Sequence, residues 1–461
     1  MLKESFDILM MEILAGSRRK KSCRYAIMAN RTEREPLMTM QSSFTHSEDA
    51  YADLSSHDAF LNGVPHATFE RLRKEDPLYW SNSCDGSRGF WSITRHEDIL
   101  QLNKQFDLLT SARGIRLEDQ TEEEYIARRT FQETDPPEHR HTRALVNKAF
   151  SRPVIAKYEE LIRELASEIL DKAFEEEEFD AVERIARQLP MRMLARIIGV
   201  PDADSDWLVA KGDELIANTD PNYTDFVVDQ VDTNEFRLMP FRSPAGKDLF
   251  EYAEKHLSRI RERGEEENIL SMILQPTKEG TVMIESDFQN FFCLLVAAGN
   301  DTTRYSIASS IKALANFPEL FNQFKKTDDG IYETAVDELI RWASPTMHFR
   351  RTATRDFKLH GKHVREGDKV VLWFVSGNRD NAAFKNPYDI DLKRRPNRYV
   401  AFGQGGPHVC LGMWLAKLEV KIIIQELAKR LNNLKQTGEH KYLRSNFIGG
   451  IRYLPIRIRK V

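Results

Sequence analysis

From about residue 50 onward the apolar residues recur mostly at three- and four-residue steps, the period of helices that bury one face. Glu159–Phe174 and Phe179–Ile198 carry this period, and Pro201 marks the end of the second. Ser286–Phe317 reads as one helix of 32 residues stopped by Pro318, about 48 Å long at 1.5 Å per residue and able to cross a whole domain. Strand-type runs gather in two places. Leu78–Ser81 and Gly89–Thr94 flank Cys84-Asp85-Gly86-Ser87, which reads as a hairpin turn. Within 356–376, Gly361 separates two short runs, and Val370–Val375 reads as a strong strand. The class predicted is mainly α with a small β-rich part. No internal repeat, low-complexity tract or Pro/Gly-rich linker follows residue 50. The soft prior of about three domains for this length therefore gives way to one large domain over 41–461.

Residues 1–40 break the pattern. They are rich in methionine, hold the basic cluster Arg18, Arg19, Lys20 and Lys21, and show no periodicity. The apolar stretch precedes the charge and Glu12 interrupts it, the reverse of a secretory signal. The segment reads as a disordered or dispensable N-terminal tail.

Composition narrows the class. Sixty-seven basic against 71 acidic side chains give a net charge of −4, without the basic excess of a nucleic-acid binder. The longest apolar run, Phe291–Gly299, is nine residues, against the ~20 a bilayer helix needs, so no transmembrane anchor is expected. Cys23, Cys84, Cys293 and Cys410 include no CxxC pair, which suits a reducing cytoplasm and argues against a disulfide framework or zinc ribbon.

Four segments carry candidate chemistry. In the first, Ala401-Phe402-Gly403-Gln404-Gly405-Gly406-Pro407-His408-Val409-Cys410-Leu411-Gly412 precedes a helical pattern from Met413 to Leu431. Cys410 stands where a glycine-rich loop enters that helix, so the dipole and nearby amides favour thiolate. Such a group is a nucleophile, a metal ligand, or a small buried cysteine. In the second, Ala298-Gly299-Asn300-Asp301-Thr302-Thr303-Arg304 puts polar and charged groups in the middle of the long helix. Burying them costs free energy unless each finds a partner, and proteins accept such a defect mainly at functional sites; a solvent-facing stripe is the plain alternative. In the third, Glu338 and Arg341 share one helical face. In the fourth, Asp135-Pro136-Pro137 starts a helix on which His139 and Arg143 stack as i and i+4, while His141 points elsewhere. A solvated helix start explains the histidines equally, and a zinc pair lacks a further ligand at suitable spacing.

Taken together these segments resemble the cytochrome P-450 haem-thiolate monooxygenases, over roughly residues 50–461. The resemblance implies the fold of that family, a single large domain enclosing haem b, with Cys410 as axial iron ligand framed by Phe402, His408 and Gly412. One departure is visible: Phe402 stands eight positions before Cys410, where the commonest form of the signature has seven. A thiolate ligand favours O–O cleavage. By the same resemblance Ala298 and Gly299 leave room for O2, the co-substrate. Thr302 takes the alcohol role and Asp301 the acid role in proton delivery. Arg394 is matched as third partner of Glu338 and Arg341. Arg143, His139, Arg350 and His408 are matched to the haem propionates, with spacing favouring Arg350 over Arg351.

The motif wording is closest to soluble bacterial members that hydroxylate terpenes, alkanes, or fatty-acyl and sterol-like chains, so an apolar small molecule is the expected substrate. No flavin- or nicotinamide-binding glycine fingerprint is present. Electrons are thus expected from a ferredoxin and its ferredoxin reductase, docking where Lys417, Lys421 and Arg140 offer positive charge, in a cytoplasmic setting. Two other classes compete. A thiol-dependent hydrolase using Cys410 and His408 leaves Asp301-Thr302 unexplained, and a haem-binding sensor or carrier has no need of that pair.

Overall fold

The architecture comes from a computed structural model that describes residues 51–461 apart from 264–268, 277–279, 281 and 327–329; the expected tail, with Cys23, lies outside the described residues. The helices that frame the site are α1 (Glu138–Asn147), α2 (Glu159–Ala173), α3 (Gln188–Ile197), α4 (Ser205–Ile216), α5 (Pro244–Arg263), α6 (Glu285–Asn316), α7 (Gly330–Ala343) and α8 (Met413–Arg430). The strands are β1 (Leu78–Ser81), β2 (Phe90–Ile93), β3 (Leu109–Thr110), β4 (Glu178–Asp180), β5 (Phe349–Ala353) and β6 (Phe357–Leu359). They continue as β7 (Lys362–Val364), β8 (Lys369–Leu372), β9 (Leu431–Gln436), β10 (Lys441–Tyr442), β11 (Ile451–Tyr453) and β12 (Pro455–Lys460).

α6 is the axis of the molecule. Its 32 residues are buried along most of their length, as expected of a helix that is apolar nearly all round, and α3, α4, α5, α7 and α8 all pack against it. The main sheet runs β1-β2-β8-β5-β3. Its two faces follow the two-residue alternation of strands: Leu78, Ile93, Val370, Leu372 and Ala353 build one core cluster, while Phe90, Val371 and Trp373 join another on the opposite face.

Three expectations need correction. The strand expected over Val370–Val375 stops at Leu372, because its partner β2 ends at the Ile93↔Leu372 pair. The chain then turns into the short helix Phe374–Gly377, whose Gly377 amide reaches back to Trp373 O at 3.0 Å. Phe179 is not helical: it sits in β4 opposite Ile456. Asp180 Oδ1 then accepts the Val182 amide at 2.9 Å and starts a helical stretch in which 182–186 is a π turn. Finally, strands gather in more than two places. β4, β12 and β9 form a further sheet and β10–β11 another pair.

Candidate active site

Cys410 is placed by a loop that closes on itself: the Cys410 amide donates to Phe402 O at 2.9 Å. Gly405 has φ +108°, and a Cβ on Gly406 would run into the Asn103 carbonyl, so backbone demands select glycine at both. α8 starts three residues after the cysteine. Cys410 is an exposed free thiol, and it lines an apolar cavity, so the cavity is what it meets. Burial among protein atoms pushes the thiol up, outweighing the Gly412 amide and Arg143, which pull it down. The expected thiolate bias is therefore overcome by desolvation; a metal cation on the sulfur reverses this.

Ala298, Gly299, Thr302, Thr303 and Ser306 of α6 line the same cavity. Thr302 Oγ1 donates to Ala298 O at 2.8 Å and Ser306 Oγ to Thr302 O at 2.9 Å, so each hydroxyl is steadied on its own helix and keeps acceptor capacity. Asp301 faces another way. It is fully buried beside Arg304, whose guanidinium bonds Asp213 of α4 and stands 3.4 Å from Asp301 Oδ1. Asp213 also accepts from Asn300 Nδ2 at 3.1 Å and Arg187 Nε at 2.6 Å. Neither Asp301 oxygen has a hydrogen bond. Burial first, with the Asp213 charge adding and Arg304 opposing, lifts its carboxyl to about 7. The polar run is thus a buried network joining α6 to α4, not a solvent-facing stripe.

A polar edge closes part of the cavity. The His139 and His408 rings lie 4.2 Å apart. Both His139 nitrogens and His408 Nδ1 are buried without a partner, while His408 Nε2 is 3.3 Å from Ser111 Oγ. Burial, then neighbouring arginine charge, lowers the two to about 4 and about 2. Arg143 Nη2 donates to Val409 O at 2.6 Å, tying α1 to the cysteine loop. Alternation along β5 separates the two arginines. Arg350 pairs with Val371 and shares that face, where Nη1 bonds Glu118 O at 2.9 Å and Asp119 Oδ1 at 3.1 Å. Arg351 pairs with Val370, on the face of Phe349, and its charge acts on both His139 and His408. Spacing points to Arg350, whereas the face of β5 shared with the cavity-lining Phe349 is that of Arg351.

Behind the loop, Glu338 accepts from Arg341 Nε at 2.7 Å and Nη2 at 2.8 Å and from Arg394 Nε at 3.0 Å. Arg341 Nη1 also donates to Asn378 O and Pro387 O, both at 2.7 Å. The triad pins α7 to the segment leading to Cys410. Lys417 is no free docking charge: it pairs with Asp337 at 2.7 Å, and Arg140 lies over the Phe106 ring at 5.9 Å.

These residues fit a haem. The cavity is mainly apolar with a thiol in its wall, and its edge holds unpartnered buried ring nitrogens beside arginine charge, which suits carboxylates. Other residues of consequence went unread in the sequence. Glu419 of α8 lines the cavity, is 1% exposed, leaves Oε1 without a partner, and is raised to about 8 by burial. Asp213 and Arg116 lie in segments whose polar residues carry no recognisable spacing; only three-dimensional proximity shows them.

A family model described as cytochrome P450 matches residues 331–447. The chain is 32% identical over 409 residues to a methyl-branched lipid omega-hydroxylase of Mycobacterium tuberculosis, covering 86% of this chain and 92% of that one. It is also 32% identical over 416 residues to a linalool 8-monooxygenase of Pseudomonas putida, covering 88% and 98%. Among solved structures, a Mycobacterium marinum cytochrome P450 in complex with pseudoionone superposes with a TM-score of 0.80 at 34% identity, covering 88% of this chain and 99% of that one.

Proposed function

The chain belongs to the cytochrome P450 family, and from that premise we propose that Cys410 is the thiolate through which it holds haem b. The enzyme is a monooxygenase that acts on an apolar small molecule. Haem b on a thiolate supplies the activation of dioxygen that lets one oxygen atom enter a C–H bond.

The chain's own residues have separable tasks in this reading. The Phe402–Cys410 loop holds the sulfur, and the Glu338, Arg341 and Arg394 triad holds the loop. Arg351, His139, Arg143 and His408 receive the haem carboxylates; Arg350 supports the sheet through Asp119. Ala298 and Gly299 keep the cavity wall low, where a Cβ on Gly299 would already come within 3.2 Å of Leu194. Thr302 orients a water or an oxygen with its hydroxyl. Asp301 holds a proton near neutral pH and passes it toward Thr302, its neighbour on α6, in the manner of a general acid. Glu419 is the second buried group that holds a proton near neutral pH.

The single observation that carries the reading is that Cys410, Thr302 and the polar edge of His408 and Arg143 line one apolar cavity. The substrate class proposed is a terpene, alkane, fatty-acyl or sterol-like molecule. Electrons come from a separate partner, proposed to be a ferredoxin with its reductase. No helix among the described residues is long and apolar enough to cross a membrane, which is compatible with the proposed cytoplasmic setting. Incubation with a redox partner, isotopically labelled dioxygen and a panel of such substrates should give an alcohol carrying one labelled oxygen; label found only in water would overturn the reading.

A further inference from the structure

Charged groups are few in the cavity wall. Arg143 is assigned to the haem carboxylates and bonds the Val409 carbonyl of the cysteine loop, and Glu419 belongs to the helix that follows Cys410. Arg116 is different. It lines the cavity beside Ile115, Phe241 and Phe447, with its guanidinium carbon 4.6 Å from the centre of the Phe241 ring and 5.0 Å from that of Phe447. Its Nη2 is buried without a hydrogen-bond partner. Among the described residues no carboxylate pairs with it: Glu118 and Glu133 act on it only as more distant charges, and Arg128 is a like charge nearby.

A guanidinium left unpaired among aromatic rings is expensive, because buried cations otherwise find an anion. The backbone around it is itself held in an unfavourable form. Phe241 and Arg242 have φ of +59° and +52°, rare for residues with large side chains. Asn218 Nδ2 clamps the turn by donating to Phe241 O at 2.9 Å. The consequence of this turn is a Phe241 ring laid on Arg116. With two rings within cation–π range, Nη2 remains a donor without a partner, and a guanidinium donor of this kind matches a carboxylate.

We infer that Arg116 is a specificity residue which binds the carboxylate end of an apolar substrate, whose hydrocarbon end then extends along the cavity toward Cys410. The inference rests on the monooxygenase reading of that cavity and narrows its substrate class to chains ending in a carboxylate. Oxidation then falls on carbons remote from the acid group, since the two ends are fixed at different parts of the wall.

The test uses the purified holoprotein and three matched ligands: dodecanoic acid, dodecan-1-ol and methyl dodecanoate, with affinities from calorimetry at neutral pH. The wild type should bind the acid about tenfold or more tightly than the alcohol or the ester, as a charge-assisted pair implies. Arg116→Gln should bring the acid down to the level of the alcohol, and Arg116→Lys should keep part of the preference. Equal affinity of the wild type for acid and alcohol, or an acid preference that survives Arg116→Gln, would overturn the assignment. If Arg116→Gln does not fold, the wild-type ligand series and Arg116→Lys decide the question. The haem spectrum of the same samples is read separately: its loss counts against the monooxygenase reading, whereas the acid preference is measured by heat alone.

Discussion

Asp301 Oδ1 lies 3.4 Å from Arg304 Nη1 with both residues fully buried, yet the guanidinium directs its hydrogen bonds to Asp213 and to the Tyr305 hydroxyl. Asp301 is left without a donor, and burial raises it to about 7. A group raised in this way is protonated, and so able to donate, below that pH and loses the proton as pH rises through it. Product formation should therefore decline as pH rises through about 7. Asp301→Asn should lower turnover by about a hundredfold, the lower end for a positioned acid, and flatten that limb of the profile. Asp213→Asn removes a charge that raises Asp301, so the limb should move to lower pH. Rates measured from pH 5.5 to pH 9 check all three; a profile identical in wild type and Asp301→Asn would remove the acid role.

Thr302 is adjacent in sequence but lines the cavity, with its proton committed to Ala298 O at 2.8 Å. Thr302→Ala should keep haem and substrate binding while directing reducing equivalents into hydrogen peroxide. The ratio of product to reductant consumed should fall, with the lost equivalents recovered as peroxide. Unaltered coupling would show that the hydroxyl is dispensable.

The two arginines of β5 should separate cleanly. Arg351→Gln should weaken haem retention, read as faster transfer of haem to an acceptor globin. Arg350→Gln should leave retention near wild type and instead lower thermal stability by about 1–2 kcal/mol through loss of the Asp119 and Glu118 contacts. The opposite ranking would restore the assignment that spacing suggests.

Glu338 is 0% exposed and accepts from two arginines. Glu338→Gln leaves two buried guanidinium groups short of charge, so a loss of about 3–5 kcal/mol is expected. Unfolding by denaturant, with haem content followed alongside, should show a lower midpoint and a largely haem-free protein. A variant with wild-type stability would make the triad ornamental.

Long-period helical patterning was the most legible feature of the chain. Glu285–Asn316 lies within one residue of the helix expected from apolar steps and Pro318, because a helix buried nearly all round writes its length into the sequence. The glycine loop was legible for a similar reason, since close backbone approach leaves glycine few substitutes. Short strands were less so. Phe179 belongs to β4 only because Ile456, 277 positions later, lies opposite it, and nothing local records that pairing. Arg350 against Arg351 is the same lesson at the site. Their chemistry is identical, and only the phase of a strand, set by its partner β8, decides which one shares the face of Phe349. Arg116 and Asp213 were invisible because their significance is the lack, or the sharing, of a partner brought by another segment.

The most direct test of the account is the spectrum of the reduced protein under carbon monoxide, taken for the wild type and for Cys410→Ser. The wild type should be red and show the Soret shift of thiolate-ligated haem, and the variant should lose that shift. A wild-type protein that stays colourless after haem supplementation, or a thiolate-type spectrum that survives in Cys410→Ser, would contradict it.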